Sequence, residues 1–172
     1  PGLVVVVALL GFVIAGAWAT FSLAARESAR SNREAWMSRE IGEPLEFAER
    51  IFSQQTQFNV VEPYRCEGLT DRDNDNKFET YQFEATTDGR LVVTSSEDVD
   101  SPTAVASEWS ASNRNRAESV PLFRYYDVNG TDISGEPSTY IAQYATSLVI
   151  TIVADHDGGI IEDSRRVYFR NR

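Results

Sequence analysis

A chain of 172 residues with a net charge of −10 lacks the basic stripe that nucleic-acid binding needs, and charge alone does not draw it to anionic lipid. Its only cysteine, Cys66, excludes an intramolecular disulfide, and its only histidine, His156, gives a zinc site or a Ser-His-Asp triad little support. No nucleophile–base pair, phosphate loop or pair of catalytic carboxylates is legible, so the chain reads as a non-enzyme.

The first stretch, residues 1–25, has no charged side chain. As a helix it would run about 37 Å, enough to cross a hydrocarbon layer of about 30 Å. Thr20 and Ser22 can bond back to their own helix. The run is too long, and lacks the basic start, for a secretory signal peptide. Residues 26–58 continue the helix with a different pattern. Arg26, Glu27, Arg30, Arg33, Glu34, Arg39 and Glu40 supply mixed charges at three- and four-residue spacings, and Met37, Ile41, Leu45, Ala48 and Phe52 form an apolar stripe suited to a sheet laid against one side. Pro44 lacks an N–H and crowds the preceding turn, so a kink or short break is expected at Gly42–Pro44. The helix is expected to end near Gln57–Asn59.

From Val60 the apolar period changes to two, and residues 59–172 form a globular domain. Phe78–Ala85 alternates as a strand, Thr86–Gly89 turns, and Arg90–Ser95 returns. Residues 97–116 are polar and without period, mostly loop, with Trp109 pinned onto the domain. Val120–Tyr126 is a strand, Asp127–Gly130 a turn, and Glu136–Tyr144 a short helix or loop with Tyr140 and Tyr144 inward. Ala145–Ala154 is the strongest strand, Asp155–Gly159 turns, and Ser164–Arg170 closes the chain. The layout is α+β: one long helix, then an antiparallel sheet of four to six strands.

One motif has metal-ligand spacing. In Thr70–Glu79, Asp71, Asp73 and Asp75 alternate, Asn76 can take a left-handed turn, the Lys77 carbonyl follows, and Glu79 can close the shell. Three aspartates this close repel one another without a cation, and hard oxygen donors suit Ca²⁺. A twelve-residue EF-hand wants Glu where Gln82 stands, so the match is to a shorter DxDxDxxxE pattern. Cys66, in YRCEG, reads as a small buried hydrophobe.

The stretch LVVVVALLG, Leu3–Gly11, resembles the N-terminal core of type IV pilins and of the pseudopilins of type II secretion. PYRCEGLTDRDNDNKFETYQFEATTDG, LFRYYDVNG and RRVYFRNR are similar to the minor pilins called PilW- or PulJ-like. The resemblance implies a pilin fold and a structural subunit of a pilus-like or pseudopilus filament. It implies a single-pass inner-membrane protein before assembly and an extracellular filament afterwards. Other pilin subunits would be the partners, through Leu3–Ala25, in adhesion, motility, DNA uptake or secretion. Aligned on Gly11, the family's methylated mature start falls about three residues before Pro1, behind a leader. The family's fifth-position Glu, thought to neutralise a neighbour's terminal amine, falls on Gly2, which leans towards a minor or initiating subunit. The alternative reading is a monomeric membrane-anchored binding or adhesion module that makes contacts through residues 97–116 and 130–140.

Overall fold

The computed structural model describes residues 2–55, 57–71, 78–96 and 104–170. The chain divides into two compact units, Pro1–Ser38 and Arg39–Arg172. The first is a single helix, α1 (Gly2–Met37).

A π-helical turn, Ser38–Gly42, is followed by α2 (Glu43–Ser53) in the second unit. The break expected at Gly42–Pro44 is instead a change of winding. Pro44 has no N–H to give and its ring presses on the carbonyl four residues back, and a wide turn placed just before it absorbs both without ending the helix. Of the expected stripe Ile41, Leu45, Ala48 and Phe52 are buried, joined by Ile51, while Met37 is half-buried. The helix stops earlier than expected, at Ser53. The Gln54 and Gln55 N–H groups bond the carbonyls of Ile51 and Phe52, and Gln57 already belongs to a strand.

The layout is α+β as expected, and among the described residues eight strands follow, divided between two antiparallel sheets of five and three strands. The first is a meander of β1 (Gln57–Val61), β2 (Arg65–Thr70), β3 (Glu79–Ala85), β4 (Leu91–Ser96) and β5 (Ala104–Ser110). The second has the order β6 (Phe123–Tyr126), β7 (Ser147–His156), β8 (Gly159–Tyr168), with α3 (Ser138–Tyr144) between β6 and β7. At 104–110, β5 corrects the expectation that residues 97–116 are mostly loop, while 97–103 lie outside the described residues. Its partner is β4, whose Val92–Ser96 edge pairs with Ala104–Glu108 residue by residue. In α3 the inward residue is Ile141. Tyr140 and Tyr144 are exposed and lie against each other at 4.5 Å, which corrects their expected inward placement. One helical turn separates them, so both fall on the same side of α3.

Phe52 joins helix and sheets. It is fully buried, with ring centroids 5.0 Å from Phe83 on the first sheet and 5.6 Å from Phe123 on the second. Phe58 meets Phe169 at 5.0 Å and closes the core at the far end of β8. Cys66 is buried among these groups beside Tyr125, and burial pushes its thiol up to about 12. A second tie is polar. Beyond β6, residues Ser112–Asn115 run along the distal half of β7. Arg114 N–H donates to the Val153 carbonyl at 2.7 Å, and Asp155 N–H to the Ser112 carbonyl at 3.0 Å.

Gly68 is needed where it stands. In β2 it faces Phe58 of β1, and the Gln55 side-chain amide passes over it to bond the Gln57 carbonyl at 3.3 Å. A Cβ there would collide with that amide and lie 2.8 Å from the Gln57 oxygen. Gly68→Ala is expected to cost about 1–3 kcal/mol, measured as a lower urea midpoint with an unchanged slope.

Candidate assembly helix and acidic loop

In α1 the large apolar side chains of Leu9, Leu10, Phe12, Val13, Ile14, Trp18, Phe21 and Leu23 are 60–83 % exposed. At 100° per residue they cover about two thirds of the circumference, and the small uncharged residues Gly11, Ala15, Ala19 and Ser22 fill the rest, so the helix has no charged face to turn to water. Its hydroxyls do not change this. Thr20 Oγ1 donates to the carbonyls of Gly16 and Ala17 at 3.1 and 2.9 Å, and Ser22 Oγ donates to the Ala19 carbonyl at 2.9 Å. With both hydroxyls bonded to the helix's own carbonyls, the segment fits an apolar solvent. Among the described residues one helix, near the start of the chain, is long and apolar enough to cross a membrane.

Gly11 and Gly16 interrupt the large side chains, and a Cβ built on either meets nothing within 4 Å. They leave shallow places where another helix can come close. Past Ala25 the surface becomes charged. Arg30 Nε and Glu34 Oε1 pair at 2.8 Å, but both side chains are mostly exposed, so the pair adds little stability.

The acidic loop joins β2 to β3. Thr70 and Glu79 are register partners, so the hairpin clamps both ends of the connection. Asp71 is half-buried at its start and Glu79 is 9 % exposed at its end. Asp73, Asp75 and the Lys77 carbonyl lie outside the described residues. Among the described residues, no three acidic, histidine or cysteine side chains gather closely enough to hold a metal.

The other turns are backbone chemistry, as the sequence indicated. Asp127 Oδ1 accepts from the N–H groups of Asn129 and Thr131 at 2.9 and 2.8 Å, and these bonds hold its carboxyl below the usual range. Asp155 is held low by the Arg114 guanidinium at 2.9 Å and by the Gly158 N–H. Trp109 is pinned where expected, 4.6 Å from the Phe47 ring, in a groove of about 410 Å³ lined by Glu43, Glu46 and Arg50.

Two features escaped the reading of the sequence. One is the buried pair Asn113 and Asn115, hidden in a stretch rich in Ser and Asn. The other is the open edge of β8, whose strand was placed five residues too late. Comparison with protein-family models, with curated proteins and with solved structures returns no match to this chain.

Proposed function

We propose that the chain is a structural subunit of a pilin-like filament, held in a membrane by α1 before assembly and packed through Leu3–Ala25 against other subunits afterwards. The observation that carries this reading is the exposure of the eight large apolar side chains of α1 between Leu9 and Leu23, while among the described residues every buried apolar side chain belongs to the second unit. Lipid and a bundle of like helices are both dry surroundings, so one surface serves both states. Helical winding that continues past the apolar stretch into a stripe buried by the domain suits an assembly helix, whereas a tether needs neither. The resemblance of LVVVVALLG to pilin cores adds to it. Filaments sheared from cells that produce the chain should contain it by mass spectrometry. Finding it only as a membrane-bound monomer would favour the anchored binding module instead.

The proposal extends to Ca²⁺ at the β2–β3 connection, supported by the spacing of Asp71, Asp73 and Asp75 and by the clamp at Thr70 and Glu79. A ligand that binds only the folded chain raises its melting temperature as its concentration rises. Adding millimolar Ca²⁺ to EDTA-treated protein is expected to raise the midpoint, and Asp73→Asn with Asp75→Asn to abolish the rise. An unchanged midpoint in the native chain removes the site.

A further inference from the structure

We infer that the open edge of β8 is a self-complementary interface for a second copy of this chain, paired antiparallel and centred on Ser164. The inference does not depend on the filament reading. β8 is the last strand of its sheet, with β7 as its only strand neighbour among the described residues. Its hairpin with β7 turns through Asp157 and Gly158, with φ of 52° and 78°, and His156 and Gly159 close the ladder. In such a two-residue turn the closing residues are a hydrogen-bonded pair, and bonded pairs then alternate along the strands. The odd-numbered residues of β8 therefore bond to β7. Ile160, Glu162, Ser164, Arg166 and Tyr168 turn their N–H and C=O groups to the open side. The Ser164 N–H agrees: it donates to its neighbour Asp163 Oδ1 at 2.8 Å.

The side chains of this strand are antisymmetric in charge about the same residue. In Ile160-Ile-Glu-Asp-Ser-Arg-Arg-Val-Tyr168, a two-fold axis at Ser164 sets Glu162 against Arg166 of the second copy and Asp163 against Arg165. It also sets Ile160, 51 % exposed, against Tyr168, 64 % exposed, and Ile161 against Val167. Opposite charges and aromatic–aliphatic pairs directly across an antiparallel ladder each stabilise it. The outward residues are the ones that face each other as hydrogen-bonded pairs, so ladder and side chains call for the same register.

Neighbouring registers are disfavoured. An axis at Asp163 sets Asp163 on its own copy, an axis at Arg165 sets arginine on arginine, and a parallel in-register pairing stacks every like charge. Charges on an edge strand ordinarily keep other strands away. Here they do so for every one of these registers except the one centred on Ser164. Arg165 already reaches Glu49 at 2.8 Å and Arg166 lies over the Tyr126 ring at 4.3 Å, so both guanidinium groups are held near the strand. A two-fold contact is isologous and closes on itself. It therefore joins two molecules, or two filaments, and does not propagate a polar filament.

The test uses the full chain in detergent micelles. In a hydrogen-bonded antiparallel pair the facing Cα atoms are about 5.5 Å apart, within disulfide reach. Ser164→Cys under mild oxidation is expected to give a covalent dimer, with Cys66 buried and silent. Adding Glu162→Arg should lower the dimer yield at least about fivefold, since it places arginine against arginine twice. Adding Arg166→Glu to that variant should restore it. A Ser164→Cys chain that stays monomeric, as when the edge receives some other strand or none, overturns the proposal. So does a dimer yield indifferent to Glu162→Arg, or one that Arg166→Glu does not restore. All these variants keep residues 1–25, so filament formation is scored separately and a failure of either reading leaves the other standing.

Discussion

Deleting residues 1–25 is expected to turn a chain that partitions into detergent or membrane into a water-soluble monomer that forms no filaments. The eight large apolar side chains exposed on α1 between Leu9 and Leu23 each gain about 1.5–3 kcal/mol when taken out of water. Together they outweigh the solubility conferred by a domain with most of the chain's acidic residues. The same deletion should leave the fold alone. Among the described residues every buried apolar side chain lies at Ile41 or beyond, so the melting midpoint should stay within about 2 °C of the full chain's in detergent. Sedimentation and calorimetry on the shortened chain check both halves. Filaments from the shortened chain would refute the assembly role of α1. A large drop in midpoint would mean that the domain leans on the deleted segment. A narrower change separates assembly from anchoring. Gly16→Leu adds bulk where nothing stands within 4 Å, so it should leave membrane insertion intact while lowering filament yield.

The helix was legible because its signals are local. A charge-free run of 25 residues needs no partner to be recognised, and the stripe Ile41, Leu45, Ala48, Phe52 states its period within three turns. Turns at Thr86–Gly89, Asp127–Gly130 and Asp155–Gly158 were legible for the same reason, since glycine at φ near +80° marks each of them. The second sheet and β5 were not. β5 has the sequence AVASEWS, with small side chains that carry almost no alternation, and it is a strand because β4 presents an edge to it. β2, RCEGLT, buries Cys66, Gly68 and Thr70, none of which announces a core position. The early start of β8 was masked by the charges Glu162–Arg166, none of which is buried, so no alternation shows between Ile161 and Val167. Of the acidic loop, the sequence supplied the ligand pattern and the structure supplies the clamp at Thr70 and Glu79.

Asn115→Ala is expected to destabilise the sheet domain by about 3–5 kcal/mol, lowering its midpoint by roughly 10–18 °C. Asn115 is fully buried and every polar atom of its side chain is used. Its amide nitrogen donates to the Thr151 carbonyl at 2.7 Å and the Val120 carbonyl at 3.2 Å. Its oxygen accepts from the Val153 N–H at 3.0 Å and from Asn113 Nδ2 at 2.8 Å. These bonds stand where β7 has run out of β6 to pair with, so the side chain replaces a missing stretch of strand. Alanine strands two buried donors and two acceptors, and each unsatisfied group costs about 1–3 kcal/mol before relaxation. Asn115→Asp makes the loss depend on pH. An ionised carboxylate would face two carbonyls in a dry site, so the folded state holds its pKa above the unfolded value of about 3.9. The folded state then binds the extra proton, and the Asp variant loses stability as pH rises from about 4 towards 7. At low pH its single O–H replaces one of the two lost donors. Denaturant titrations of both variants at pH 4 and pH 7, each referred to the native chain at the same pH, should show a constant deficit for Ala and a deepening one for Asp. A pH-independent deficit in the Asp variant would mean that water reaches position 115, and the side chain could not then be the buried clamp on β7.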